Sequence, residues 1–153
     1  MGEIAKRVIV FVLSMVPVIE LRGAIPVGWG FKLPLWQTLL LSIGGNILII
    51  PFVVLLFNRV LELLRKFRLT AKIANLIEAR TQRKSEKVEN WVFLGLMLFV
   101  AIPLPGTGAW TASMIAGLLQ MKMRKAFCPI ALGVVGAAVI VTLITYGVVK
   151  IMA

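Results

Sequence analysis

Residues 91 to 119 form an apolar run without a single charge, and it is interrupted at its centre by Pro103, Pro105, Gly106 and Gly108. Proline lacks an N–H donor and crowds the preceding turn, and glycine adds backbone freedom, so the stretch from Ala101 to Trp110 does not continue a helix. In hydrocarbon, irregular backbone survives only where protein or a water-filled cavity satisfies its polar groups. The break is therefore either a surface turn or the centre of a buried site.

Composition places the chain in a membrane. It is 60% hydrophobic and only 15% charged, with a mean hydropathy of +1.00; soluble domains run at about half apolar and a quarter charged. Apolar runs at 8–19, 33–57, 91–119 and 126–149 reach or approach the ~20 residues that cross a bilayer. The sequence predicts an all-α integral membrane protein of the cell (inner) membrane, crossing it more than once.

Seventeen Lys and Arg oppose six Glu, giving a net charge of +11, with no Asp and no His. In a soluble chain that balance would suggest nucleic acid. Here it fits cytoplasmic loops and anionic lipid headgroups, and no nucleic-acid partner is expected because the basic stretch lacks interleaved aromatics. Ser14, Ser42 and Ser113 have no histidine base, and the usual metal ligands are missing. An enzyme, a cofactor and a metal site are not expected. Cys128 excludes an intramolecular disulfide and reads as a small buried hydrophobe. The basic start and first apolar run look like a leader, but Glu20-Leu21-Arg22 stands where a small-residue cleavage pattern is needed. The run is expected to stay in the mature chain.

In chain order, a short apolar helix over 8–16 leads into a segment interrupted by Pro17, Gly23 and Pro26, which carries Glu20 and Arg22 and ends at Gly30. A full span follows from Leu35 to Phe57, softened by Gly44, Gly45 and Pro51, with Asn46 placed for an interhelical hydrogen bond. Residues 59–90 hold nine basic residues and four Glu with apolar residues at helical spacing, which predicts a basic amphipathic linker on anionic headgroups or in water. After Trp91 comes the second broken run, in which Ala109, Ser113 and Gly117 form a small-residue ridge for close helix approach. A basic loop over 121–125 leads to the last span, 126–149, softened by Gly133 and Gly136. Trp29, Trp36 and Trp91 sit near segment ends, as interface anchors do.

The order of events recurs. Residues 1–58 and 91–153 each give an apolar helix, a Pro- and Gly-broken centre, a resumed helix, a basic loop and a full span, on either side of the 59–90 linker. Broken hydrophobic segments at matching places in two halves point to a transporter-type site at the repeat interface. Two topologies compete. In one, each broken segment is a re-entrant helical hairpin followed by a transmembrane helix, which makes an inverted repeat. In the other there are four ordinary spans. Basic residues divide twelve to four with the linker cytoplasmic in either case, so charge does not choose. Backbone cost favours the hairpins, since a span through 103–108 leaves unpaired polar groups at mid-bilayer.

Glu20-Leu21-Arg22-Gly23-Ala24-Ile25-Pro26 and Pro103-Leu104-Pro105-Gly106-Thr107-Gly108-Ala109-Trp110 resemble the two signature stretches of the small multidrug export protein family, over nearly the whole chain. The resemblance implies efflux. The second half, with Pro105-Gly106, Ala116-Gly117, Met121 and Phe127, is also similar to the DedA/VTT superfamily, which implies paired re-entrant hairpins and translocation of polyprenyl phosphates or lipids. DedA proteins place an Arg shortly after their Pro-Gly, where this chain has Thr107, Gly108 and Ala109.

Glu20 and Arg22 are the only ionisable residues inside an apolar segment, and such groups mark function by default. Glu20 is the candidate proton carrier, and Arg22 its partner or an anion ligand; the alternative is a structural pair locking hairpin to spans. At the second break, helix N-termini with the Thr107 hydroxyl and the Trp110 indole offer donors to an anion. The substrate-lining backbone is expected at Pro17, Gly23, Pro26, Pro103, Pro105, Gly106, Thr107, Gly108 and Trp110. The expected function is a transporter or flippase for an amphiphilic, anionic or lipid-like substrate, coupled to protons through Glu20. A multidrug cation exporter and a structural membrane protein are the alternatives. Small-residue ridges predict a homo-oligomer.

Overall fold

A computed structural model of the chain describes residues 2–65 and 86–152, with side chains at 2–63 and 90–147. Most of the expected amphipathic linker and its lipid contacts lie outside the described residues. The described residues form six helices: α1 (Glu3–Met15), α2 (Glu20–Gly30), α3 (Leu35–Arg65), α4 (Glu86–Ala101), α5 (Ala109–Leu118) and α6 (Met123–Met152). Among the described residues only α3 and α6 are long and apolar enough to cross a bilayer. The 13, 11 and 10 residues of α1, α2 and α5 are about 15–20 Å long, short of a hydrocarbon core about 30 Å thick.

The two halves repeat at the level of backbone hydrogen bonds. At the end of α2, Phe31, Lys32 and Leu33 donate to the carbonyls of Val27, Trp29 and Gly28; at the end of α5, Leu119, Gln120 and Met121 donate to those of Ile115, Gly117 and Ala116. Each second-half residue stands 88 positions after its counterpart. Lys32 (φ 56°) and Gln120 (φ 51°) take the left-handed conformation that closes the helix. The next helices also start alike: the Pro34 carbonyl accepts from Gln37 and Thr38, and the Lys122 carbonyl from Lys125 and Ala126.

Glycines set the closest helix contacts in the same way. A Cβ on Gly45 would lie 2.7 Å from the Phe11 carbonyl, and one on Gly133 would lie 2.6 Å from the Met97 carbonyl. These positions hold α3 on α1 and α6 on α4. Gly117, in the predicted ridge, brings α5 onto α3 at Val54 and Phe57. Leu35 lines a pocket with Tyr146, and Leu39 and Ile43 share a groove with Val135, Val139 and Leu143. The start of α3 thus meets the end of α6, and the two long helices run antiparallel.

One core joins α2 to α6, with Leu21, Ile25, Ile50, Val100, Ala112, Ile130 and Val134 buried together. The outer faces are apolar as well: Leu40, Phe52 and Leu143 are each more than 60% exposed. Water does not tolerate so continuous an apolar surface, but acyl chains do.

Two expected interruptions are absent: Gly23 and Pro26 lie within continuous α2. The span expected over 35–57 forms, and Gly44, Gly45, Asn46 and Pro51 leave α3 continuous. A proline inside a helix removes one N–H donor, and packing against neighbouring helices holds the remaining turns. Gly133 and Gly136 likewise leave α6 unbroken. Arg59 to Arg65 extend α3 rather than open a separate linker helix. Cys128 is exposed on α6, not buried; apolar surroundings there are acyl chains rather than protein.

Candidate functional site

The first break is a tight turn at 16–19. The Glu20 N–H donates to the Val16 carbonyl at 3.0 Å, and Val18 (φ 74°) and Glu20 (φ 48°) both adopt left-handed backbone. That region is costly for a β-branched residue and for a side chain as long as glutamate's. Such strain persists where surrounding contacts over-determine it, and it clusters at functional sites. Its effect is to start α2 with the Glu20 side chain, only 5% exposed, turned toward the second half.

There Glu20 Oε1 accepts the Trp110 backbone N–H at 3.0 Å. Gly108 caps the N-terminus of α5 and has no side chain to accept from that turn. A Cβ on Gly108 would fall inside the Glu20 carboxylate. Glycine is required by this approach, and Glu20 supplies from the other half the anion that the helix N-terminus favours.

Arg22 attends to the opposite end of the same break. Its guanidinium donates to the carbonyls of Leu104, Val100 at 3.5 Å, Ile102 at 3.2 Å and Thr107, and to the Thr107 hydroxyl at 3.1 Å. These carbonyls belong to the end of α4 and the turn that follows, where helical partners run out. A planar fork of five donors suits such a cluster better than a point charge. The Thr107 hydroxyl also lies 2.8 Å from the Ile102 carbonyl and accepts the Leu104 N–H at 3.2 Å, so it pins a turn whose Gly106 sits at φ 85°.

The second half returns the arrangement: the Trp110 indole N–H donates to the Met15 carbonyl at 2.9 Å, at the end of α1. Glu20 and Arg22 form no ion pair with each other among the described residues; each is engaged by the other half. A cleft of about 200 Å³ lies between the breaks, lined by Pro17, Glu20, Arg22, Gly106, Gly108 and Trp110.

Six of the sequence-derived residues therefore converge on one cleft. Thr107 stands behind it on Arg22, and Pro103 and Pro105 shape the turn between α4 and α5. Gly23 of α2 faces Ile19 at the helix N-cap, and Pro26 is on the exposed side of that helix. Neither lines the cleft. The α5 N-terminal amide, the Thr107 hydroxyl and the Trp110 indole, read from sequence as donors for a ligand, are all engaged by the protein itself.

Asn46 is 1% exposed at the centre of α3, and neither its amide oxygen nor its nitrogen has a partner. The expected interhelical hydrogen bond is not made. Ser42 and Thr38, one and two turns earlier on the same face, are equally buried and unpartnered. From sequence Ser42 reads only as a serine without a base and Thr38 goes unread, although polar side chains at i, i+4 and i+8 inside an apolar span are a readable signal.

No curated protein and no solved structure matches the chain. A family model described as Putative small multi-drug export protein matches residues 20–140, from Glu20 through the second break into α6. By that match, which takes in both signature stretches and most of the chain, this protein belongs to the small multi-drug export protein family.

Proposed function

We propose that this protein is a proton-coupled membrane transporter that moves an amphiphilic, anionic or lipid-like substrate through the cleft between its two breaks. The observation that carries the reading is the interlock itself: Glu20, buried, and Arg22, half-buried, are engaged by the open helix ends of the other half. In this reading α1–α2 and α4–α5 are re-entrant hairpins, α3 and α6 cross the membrane in opposite directions, and the halves form an inverted repeat. Support comes from the short helices, the antiparallel long ones and the repeated backbone pattern. The resemblance of the second half to the DedA/VTT superfamily points the same way. The positive-inside rule then puts the linker in the cytoplasm.

Protonation of Glu20 removes the negative charge that caps α5 and loosens the bond to Trp110. Release of the cap lets the hairpins separate and opens the cleft to a substrate. The test is pH-dependent substrate flux in liposomes with Glu20→Gln, which keeps the shape and removes the titration. Flux that no longer responds to pH is the expected outcome; unchanged proton coupling ends the reading.

Drug-cation export is the second reading, and one observation favours it. The Arg22 donors are taken up by backbone carbonyls, which leaves Glu20 as the charge a ligand meets. Competition between a quaternary ammonium and an anionic detergent for transport separates the two.

A further inference from the structure

Thr38, Ser42 and Asn46 follow one another at successive turns of α3, exposed by 0%, 0% and 1%. Four polar atoms on this stripe, Thr38 Oγ1, Ser42 Oγ and both ends of the Asn46 amide, have no hydrogen-bond partner. Groups packed dry and unpaired carry their full desolvation penalty, and native interiors hold few of them. The counterparts 88 positions on are Ala126, Ile130 and Val134, just as buried and entirely apolar. One half therefore carries a polar seam where the other carries a sealed one.

The seam has direction. Its outer end is at Gly28 of α2, where a Cβ would lie 2.8 Å from Thr38 Oγ1. Beside it, the loop joining α2 to α3 lines a pocket of about 340 Å³ with Trp29, Lys32 and Tyr146. Because α2 and α3 run back along each other from this loop, each turn toward the start of α2 advances one turn along α3. From the Gly28–Thr38 contact, Ala24 then comes level with Ser42 and Glu20 level with Asn46. The polar atoms run from a surface pocket to the depth of the cleft.

We propose that the α2–α3 seam is the aqueous access route to Glu20, opening to the face that carries the 31–34 loop and to that face only. Parting α2 from α3 by the width of a water molecule supplies partners to all four polar atoms, so hydration offsets the loss of packing. Parting α5 from α6 wets Ala126, Ile130 and Val134 and gains nothing. The first hairpin moves and the second holds. The packing alone supports the route; that protons use it rests on the reading of Glu20 above.

Single cysteines test it in a Cys128→Ala background, in proteoliposomes treated with a water-soluble, membrane-impermeant thiol reagent. Ser42→Cys exchanges one atom and keeps the fold; Asn46→Cys, Ile130→Cys and Val134→Cys complete the set. Labelling at 42 and 46 at least ten times faster than at 130 and 134, with reagent on the 31–34 face, is expected. Labelling no faster than at 130 and 134, or only from the other face, overturns the route. The readout needs no transport. Should Glu20→Gln keep proton coupling while 42 and 46 still label, the proton-carrier reading fails and the route stands; the reverse result sinks the route alone.

Discussion

Arg22 and Trp110 hold equivalent positions in the two halves, 88 residues apart, and each completes the helix that ends at the other half's break. The Arg22 guanidinium takes carbonyls at the end of α4 and just after it, and the Trp110 indole N–H takes the Met15 carbonyl at the end of α1. The exchange explains how two broken backbones persist in an apolar body: each break's polar ends are satisfied by the opposite half. It also makes the two breaks energetically dependent on each other.

Gly108→Ala tests the closest of these approaches. Its Cβ would displace the Glu20 carboxylate, and overpacking of this kind costs about 1–3 kcal/mol. Thermal unfolding in detergent is expected to show that loss. Glu20→Asp, which shortens the side chain, is expected to recover part of it, so the double variant falls below the sum of the singles.

Arg22→Lys and Arg22→Gln are both expected to destabilise the protein, by about 2–4 kcal/mol for Gln and less for Lys, because they strand carbonyls that a guanidinium fork satisfies. The measurement is again thermal unfolding in detergent. Equal stability of wild type and Lys variant would show that the charge matters and the fork does not.

Glycines in the repeated contacts separate from those outside them. Gly45→Ala and Gly133→Ala meet carbonyls at 2.7 and 2.6 Å and are expected to lower the unfolding temperature. Gly44→Ala and Gly95→Ala meet nothing within 4 Å and are expected to be neutral or to stabilise by up to about 1 kcal/mol through helix propensity.

Lys32 and Lys122 decide the topology. Antiparallel long helices carry the 31–34 and 119–122 loops to opposite faces, whereas four simple spans leave both lysines on one face. Impermeant labelling of Lys32→Cys and Lys122→Cys in oriented vesicles, with Cys128 removed, is expected to occur from opposite sides.

Much of this arrangement was legible beforehand. Hydropathy fixes the apolar class and the two long helices, because burial in lipid or protein needs little beyond length and the absence of charge. Pro103 to Gly108 announced its break, since a missing N–H acts locally. Glu20 and Arg22 stood out because a charge inside an apolar run is expensive wherever it lands. Local signals misled where packing overrides them: Gly23 and Pro26 sit inside an intact helix, and Cys128 faces outward because an apolar helix gives no sign of which side is protein.

What sequence alone determined about this protein is its apolar helical class, its two breaks and the presence of two charged side chains beside the first. Only the tertiary structure decided what those side chains do. Glu20 and Arg22, two residues apart, answer to opposite ends of a break, 90 and 80 residues away, and Thr38, Ser42 and Asn46 are left without partners. A proline breaks a helix through its own atoms, so it can be read in place. A hydrogen-bond partner is a matter of where distant chain comes to rest, and long-range packing alone sets that.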